Sequence, residues 1–237
     1  MVKEISTEVE IISASCLIKL LVGAALGAAA GTQIPSFVKR LISYKCSARN
    51  NPLPEGVMTQ RSTRLAALAV DAILTALTAA FISPAAAVTA FFIIQIALVC
   101  VFVDWYIRII ANEAILVLLV LGVIYRILAG GVSSLIGSLE ALGLVTVLFG
   151  GCAALMTAVK GSPGVGAGDL KYAMVLAITV GWPGVIYLLL CFAAAVLIYV
   201  FAGMSMKILT IKTYFPMCLH LSVGLLGGVF LPILCII

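Results

Sequence analysis

Long apolar runs, separated by short polar stretches, follow one another along most of this chain. An α-helix needs about 20 mostly apolar residues to cross the hydrocarbon core of a bilayer. Eight segments are candidates for such helices: 11–31, 65–81, 86–103, 114–129, 141–159, 170–180, 184–202 and 215–237. Because segment 170–180 is short for a crossing, counts of six or seven remain alternatives.

The composition agrees with a membrane protein. The chain is 64% hydrophobic and 10% charged, whereas average soluble domains are about 45–50% apolar and about 25% charged. One soluble core could not hide that much apolar surface, so the lipid bilayer must solvate most of it. We therefore predict an all-α fold, a polytopic membrane helical bundle of about eight transmembrane helices, which forms a single membrane domain over residues 1–237.

Basic residues concentrate in one polar segment, residues 38–64, where six cations stand against a single acid, Glu55. The cations are Lys39, Arg40, Lys45, Arg49, Arg61 and Arg64. Positive charge marks the cytoplasmic loops of membrane proteins. We therefore predict that residues 38–64 form a basic cytoplasmic loop.

Each crossing moves the chain to the opposite side of the membrane, so the position of this loop assigns a side to every other polar segment. Asp104, segment 160–171, Lys207 and Lys212 all fall on the cytoplasmic side. Arg126 is the exception, since it lies near the outer end of its helix, and we expect its side chain to snorkel toward water. The sequence therefore predicts a multi-pass protein of the cell (inner) membrane.

Several functional classes lack the residues that they need. The basic residues lie between apolar runs and not on a polar domain, which argues against a nucleic-acid partner. The seven cysteines form no Cys-x-x-Cys pair, so neither a disulfide framework nor a metal site is expected. The single histidine, His220, lies within the last apolar run, where hydrogen-bonded packing is a better expectation than a catalytic triad or a metal ligand.

Four of the nine acids lie in polar ends or loops, Glu113 flanks a helix and Glu140 lies near an outer helix end, which leaves three aspartates in or beside hydrocarbon. A carboxylate in that environment is costly and indicates function by default. Asp104 ends an apolar run and precedes Arg108 by four residues, so a continuing helix would also allow a simple interfacial ion pair. Asp71 lies deeper in its helix. It is either a structural partner for Lys19 or a third acid of the site, and we rank it below the other two aspartates as a site candidate.

Asp169 follows a glycine-rich stretch, residues 161–168, which predicts irregular backbone that can approach other groups closely. A flexible cytoplasmic loop is the simpler alternative, and the stretch lacks the ending of a phosphate-binding loop. Asp104 and Asp169 share one predicted membrane face. Two carboxyl groups brought together share a proton, and one can activate water while the other protonates a leaving amine. The pair therefore predicts an aspartyl protease.

Two motifs resemble those of a known family. Gly166-Ala-Gly-Asp-Leu-Lys171 looks like the G-x-G-D-x-K motif of type IV prepilin peptidases, the bacterial branch of the GxGD membrane aspartyl proteases. Val103-Asp-Trp-Tyr-Ile-Arg-Ile-Ile-Ala-Asn112 resembles the other aspartate motif of that family. Segment 31–41, segment 181–184 and Phe215-Pro216 are looser similarities.

The resemblance implies a peptidase that cuts the leader from prepilin or pseudopilin precursors at the cytoplasmic membrane face. It implies that Asp104 and Asp169 are catalytic and that Gly166 and Gly168 shape the loop. Lys171, Arg108 and Asn112 would support the site. Proteolysis of this kind needs no cofactor and no metal.

Two departures from the family pattern bear on a second activity. Many members carry two Cys-x-x-Cys pairs in the first cytoplasmic loop, whereas residues 38–64 contain only Cys46, so the zinc-type subdomain is expected to be absent. Members often also methylate the new N-terminus with S-adenosylmethionine, an activity that is doubtful in this chain. Ala111 also replaces the usual proline before Asn112.

Two alternatives remain at this point. A GxGD protease of the presenilin or signal-peptide-peptidase type would act on helical substrates within the membrane. A non-enzymatic transporter or secretion-system subunit would use its membrane acids to move ions.

Overall fold

The computed structural model describes residues 2–161, 166–206 and 217–234, with side chains for residues 14–161, 166–206 and 217–233. The described residues form nine α-helices and one π-helical turn, which spans Thr146–Gly150. The helices are α1 (Val2–Gly31), α2 (Ile34–Ala48), α3 (Arg61–Phe81), α4 (Pro84–Ile107), α5 (Asn112–Gly130), α6 (Ser134–Val145), α7 (Gly151–Lys160), α8 (Ala167–Ser205) and α9 (Met217–Leu234). Lys207, Lys212, Phe215, Pro216 and residues 162–165 of the glycine-rich stretch lie outside the described residues.

Among the residues that the structure describes, six helical stretches are long and apolar enough to cross a membrane. They are Ala14–Ala48, Arg61–Phe81, Pro84–Ile107, Asn112–Gly130, Ser134–Lys160 and Ala167–Ser205, and Met217–Ile233 is a shorter apolar helix. The predicted segments 170–180 and 184–202 are the two arms of α8, which explains why eight apolar segments give six long stretches and one short one. The prediction of an all-α polytopic membrane bundle is confirmed.

The predicted loop over residues 38–64 is partly helical. Helix α2 covers its first part, since Ile34, Val38, Ile42 and Cys46 recur at helical spacing and are buried. The rest, up to the start of α3, is a turn-rich connection in which Asn50 and Met58 adopt positive φ angles. The charges predict a polar connection over residues 38–64. The buried apolar stripe explains why the first part of that connection is helical.

The chain divides into two compact units, Met1–Val99 and Cys100–Ile237, which are described separately. In the first unit, Gly23, Gly27 and Gly31 form a stripe on α1 that packs against α3. A Cβ atom on Gly27 would lie 2.6 Å from the backbone oxygen of Asp71. Small residues at four-residue spacing permit this close approach of two membrane helices.

Asp71 is enclosed by this helix packing and is fully buried. Its Oδ1 accepts hydrogen bonds from Thr75 Oγ1, at 3.2 Å, and from Gln95 Nε2 of α4, at 2.6 Å. Its Oδ2 is buried without a hydrogen-bond partner. Lys19 is exposed, so the expected pairing of Asp71 with Lys19 is wrong, because α3 and α4 supply neutral donors at that depth.

In the second unit, α8 packs against α5, α6 and α9. Glycines allow these helices to approach closely. For example, a Cβ atom on Gly184 would lie only 2.8 Å from the backbone oxygen of Gly228 in α9. The face of α8 that follows Asp169 is buried, and Tyr172, Leu176 and Leu188 are among its fully buried residues. This packing fixes the N-terminal end of α8 against α9, where the candidate site lies.

Helix α8 is broken in its middle at Gly181 and Trp182, whose backbone angles are not helical. Gly181 has a φ of 60°, and a Cβ atom there would collide with the guanidinium of Arg126 at 2.6 Å. Arg126 Nη1 donates to the backbone oxygen of Val180 at 3.1 Å, and Nη2 donates to that of Ser134 at 3.2 Å. The expectation that Arg126 snorkels is therefore wrong, because the broken helix offers it carbonyl oxygens within the protein.

Candidate active site

Asp104 lies in the last turn of α4 and is 5% exposed. Its Oδ2 accepts a hydrogen bond from the backbone N–H of Cys218 at 3.3 Å, in the first turn of α9. The first N–H groups of a helix have no partner within the helix, and the helix dipole favours negative charge there. The start of α9 therefore provides a polar contact for a carboxyl group that is otherwise surrounded by apolar helices.

The chain turns immediately after Asp104. Helix α4 ends at Ile107, and Arg108 adopts a left-handed conformation with a φ of 52°. The Arg108 N–H donates to the backbone oxygen of Asp104 at 2.9 Å, which closes the helix. The alternative of a helical ion pair required the helix to continue through Arg108, and it does not. Arg108 is exposed, and its charge still lies within electrostatic range of Asp104.

Asp169 is the third residue of α8, and its carboxyl group folds back over the residue that precedes the helix. Gly166 occupies the N-cap position with φ −65° and ψ 141°, and its backbone N–H donates to the Asp169 carboxylate. This is the reciprocal half of a capping box, in which an acid at the third helical position satisfies the N-cap N–H. The glycine before the helix therefore fixes the orientation of Asp169.

Gly166 and Gly168 differ in the space around them. A Cβ atom on Gly166 would lie 2.8 Å from Asp169 Oδ2, which is shorter than a normal contact. A Cβ atom on Gly168 would lie 3.6 Å from the Cβ atom of Ile110, an ordinary van der Waals distance. A methyl group at position 166 would therefore displace the Asp169 carboxyl group, whereas position 168 would accommodate one.

The two aspartate motifs meet in the second unit. The carboxyl groups of Asp104 and Asp169 lie within electrostatic range of each other. Gly168 faces Ile110, in the segment that joins α4 to α5, and Lys171 Nζ donates to Asn112 Oδ1 at 3.4 Å. The structure therefore brings together all seven residues that the sequence singled out: Asp104, Arg108, Asn112, Gly166, Gly168, Asp169 and Lys171.

Ala111, which stands where the family usually has proline, has a backbone conformation that proline could also adopt. Ala111 is the N-cap of α5 and has φ −70° and ψ 124°, which are angles that proline also adopts. Ala111 is buried, and Asn112 begins the helix beside it. The position of Asn112, and hence its contact with Lys171, does not depend on a proline ring.

A hydrogen-bond path beneath the aspartates was not predicted from the sequence. Tyr172 is fully buried, and its hydroxyl lies 2.8 Å from Ser222 Oγ. Ser222 donates to the backbone oxygen of Cys218 at 2.9 Å, which leaves its oxygen to accept from Tyr172. Since the Cys218 N–H binds Asp104, the path runs from α8 through the first turns of α9 to the carboxyl group.

One sequence signal could have indicated this path. A buried tyrosine normally finds a hydrogen-bond partner for its hydroxyl, and Tyr172 lies in an otherwise apolar helix only three residues after Asp169. Its partner could not be identified, because Ser222 is 50 residues away in the chain.

His220 was expected to serve in packing. It is buried, and its ring lies edge-on to that of Tyr199, at 5.0 Å between ring centres.

In the described part of the chain, no group of three or more His, Cys, Asp or Glu residues could hold a metal ion. Cys46 is the single cysteine of residues 38–64 and is buried in the first unit.

Residues 91–203 match the model of the type IV leader peptidase family. The matched segment contains both aspartates, both glycines and the supporting residues of the site. The match confirms the resemblance to type IV prepilin peptidases and supports a peptidase. No curated protein and no solved structure matches this chain.

The glycine geometry predicts an asymmetry between two small substitutions. Gly166→Ala should lower peptidase activity by about 10–100-fold, because displacement of a reacting group by about 1 Å can cost that much. Gly168→Ala is the matched control and should change activity by less than about threefold, since its methyl group makes only an ordinary contact. Initial rates of leader cleavage by the purified variants would measure both. Equal losses would contradict the assigned role of Gly166.

The path from Tyr172 to Asp104 makes Tyr172 a positioning residue. Tyr172→Phe should lower kcat by about tenfold and leave KM unchanged, because the hydroxyl orients the first turn of α9 and does not touch substrate. Ser222→Ala should have the same effect, and the double variant should be no worse than either single one, since both act through one path. Additive losses, or a rise in KM alone, would refute this role, and thermal unfolding would show whether the fold is retained.

Proposed function

We propose that this protein is an aspartyl endopeptidase with Asp104 and Asp169 as its catalytic pair, because residues 91–203, which contain both aspartates, match the model of the type IV leader peptidase family. It removes the leader peptide of type IV prepilins or pseudopilins at the cytoplasmic face of the inner membrane. One observation carries the proposal: the two aspartate motifs meet, with Gly168 facing Ile110 and Lys171 bound to Asn112. Each carboxyl group lies beside the start of a helix, since Asp104 accepts from the first turn of α9 and Asp169 lies in the first turn of α8.

The proposed chemistry uses the two carboxyl groups in opposite protonation states. One carboxylate removes a proton from water, and the resulting hydroxide attacks the carbonyl carbon of the scissile peptide bond. The other, protonated, carboxyl group hydrogen-bonds to the carbonyl oxygen and stabilises the tetrahedral intermediate. The proton taken from water passes to the leaving nitrogen as the C–N bond breaks, which gives a leader carboxylate and a free amine.

The surrounding residues hold this pair in place. The N–H of Gly166 orients Asp169, and the N–H of Cys218 orients Asp104. Lys171 and Asn112 join the start of α8 to the start of α5, so that the two motifs keep a fixed distance. Substrate reaches the site from the exposed side, where Arg108, Asn112 and Lys171 are accessible to solvent.

The cytoplasmic orientation is supported by charge. Exposed basic residues surround the same end of the helices as the aspartates: Arg108 follows α4, Lys160 ends α7, and Lys171 lies in the first turns of α8. Positive charge at the ends of membrane helices marks the cytoplasmic side. A prepilin whose leader precedes its apolar helix would present the cleavage site at this boundary.

We further propose that the reaction is proteolysis alone. The family's second activity transfers a methyl group from S-adenosylmethionine to the new N-terminus. In this chain the segment that carries paired cysteines in relatives is a basic helix with a single buried cysteine. Cleavage itself needs neither a metal nor a cofactor, since the two carboxyl groups supply both the base and the acid.

Two other functions give different outcomes in the same experiments. A presenilin-type protease would cut within the apolar helix of its substrate, whereas the proposed enzyme cuts at the leader boundary. A transporter or secretion-system subunit would release no leader. The family match favours neither of these alternatives.

The proposal predicts that Asp104→Asn and Asp169→Asn each lower leader cleavage by about 10³-fold or more, because an amide can neither accept nor donate the transferred proton. Purified variants would be incubated with a prepilin, and mass spectrometry would identify the products. Glu140→Gln is the matched control, since Glu140 is an exposed acid of the same unit and should be dispensable.

The same spectra report the new N-terminus of the pilin. An unmethylated N-terminus in the presence of S-adenosylmethionine supports proteolysis alone, and an added methyl group contradicts it. Cleavage at close to the parent rate by either aspartate variant would overturn the catalytic pair.

A further inference from the structure

Helix α2 carries an exposed aromatic edge that the proposed peptidase chemistry does not use. Phe37 and Tyr44 are separated by seven residues, so they lie on the same side of the helix. They are 56% and 59% exposed, although the apolar stripe of the helix, from Ile34 to Cys46, is buried within the first unit. The helix therefore has two apolar surfaces, one packed against the protein and one open.

Positive charge borders the open surface. Arg40 is exposed and follows Phe37 by three residues, which places it beside the two rings. The ammonium group of Lys45 lies 5.2 Å from the centre of the Tyr44 ring, at a cation–π distance. Aromatic rings flanked by cations are typical of helices that lie at the surface of an anionic membrane.

The third side of α2 is small and polar. Ser36, Ser43 and Ser47 are exposed and lie between the aromatic edge and Lys39 around the helix. Adjacent helical residues differ by about a quarter turn or slightly more, so Ser43 and Tyr44 face different directions. Helix α2 thus has three surfaces. One packs against the protein, one carries aromatic and basic residues, and one carries serines suited to contact with water.

The chain tethers this helix at the membrane boundary. Helix α1 ends only two residues before α2 begins, and α3, the next candidate span, begins at Arg61. The stretch Ala14–Ala48 has 35 residues, which at about 1.5 Å per residue exceeds the about 30 Å of a hydrocarbon core. Part of it must lie outside the hydrocarbon, and the charged part is α2.

We propose that α2 is an interfacial helix that binds anionic phospholipid headgroups of the cytoplasmic leaflet. Phe37 and Tyr44 lie between the headgroups, and Arg40 and Lys45 pair with their phosphates. Charge complementarity supports this occupant, since residues 38–64 hold six cations against one acid and the leaflet is anionic. Both ends of the segment are held beside that leaflet, so lipid is the nearest anionic surface.

Fluorescence quenching in vesicles tests this proposal without a cleavage assay. Tyr44→Trp and Ser43→Trp would be made in the full chain and reconstituted with phospholipids brominated near the headgroup. Both positions are exposed, so neither substitution disturbs packing. The signal of the parent protein, which includes Trp105 and Trp182, is subtracted from each variant.

The added tryptophan of Tyr44→Trp should be quenched at least threefold more than that of Ser43→Trp. Its quenching should be stronger when about a third of the lipid is phosphatidylglycerol than in phosphatidylcholine alone, and it should weaken as salt screens the headgroup charge. No quenching at either position would overturn the proposal in favour of a helix that projects into water. Equal quenching at the two positions would also overturn it, because the aromatic edge would then have no preference for lipid over the serine side. Quenching that does not depend on phosphatidylglycerol would overturn the anionic preference.

Discussion

The structure of the second unit depends on how two carboxyl groups are accommodated at the ends of apolar helices. A carboxyl group beside hydrocarbon loses most of its hydration, and this cost must be offset by polar contacts from the protein. The N-terminal N–H groups of helices are such contacts, because they have no partners within their own helix. Asp104 uses the Cys218 N–H of α9, and Asp169 uses the Gly166 N–H that precedes α8.

This constraint explains features that otherwise look unrelated. Helix α4 must stop just after Asp104, and Arg108 closes it with a left-handed turn. A side chain at position 166 would displace the carboxyl group of Asp169, which folds back over that position. The first turns of α9 must keep their place, and a hydrogen-bond path from Tyr172 through Ser222 connects them to α8. Each feature holds one carboxyl group relative to the other.

Much of this arrangement was predictable from the sequence. Apolar runs and basic loops predict a polytopic helical bundle, since the bilayer imposes both patterns on any chain that crosses it. The two aspartate motifs can be recognised because their residues are close in sequence. The structure brings Arg108, Asn112 and Lys171 to the same place as the pair, as the motifs indicated.

Other features depend on contacts between distant residues, which sequence patterns do not report. The partner of Tyr172 lies on another helix, and the carbonyl oxygens that bind Arg126 exist only because α8 breaks at Gly181. The sequence offers Lys19 as a partner for Asp71, but the glycine stripe of α1 brings backbone, and not a cation, to that position. The sequence predicts a loop where α2 lies, because the charges of this segment obscure its four-residue apolar repeat.

Binding of a transition-state analogue tests the proposed catalytic pair most directly, because it reports on both carboxyl groups without requiring turnover. A leader peptide whose scissile bond is replaced by a hydroxyethylene group mimics the tetrahedral intermediate. The enzyme should bind this analogue about 10²-fold or more tightly than the unmodified peptide, and Asp104→Asn or Asp169→Asn should each abolish the preference while retaining the weaker peptide affinity. A variant that keeps the full preference would show that its aspartate does not contact the reacting atoms, and would contradict the account.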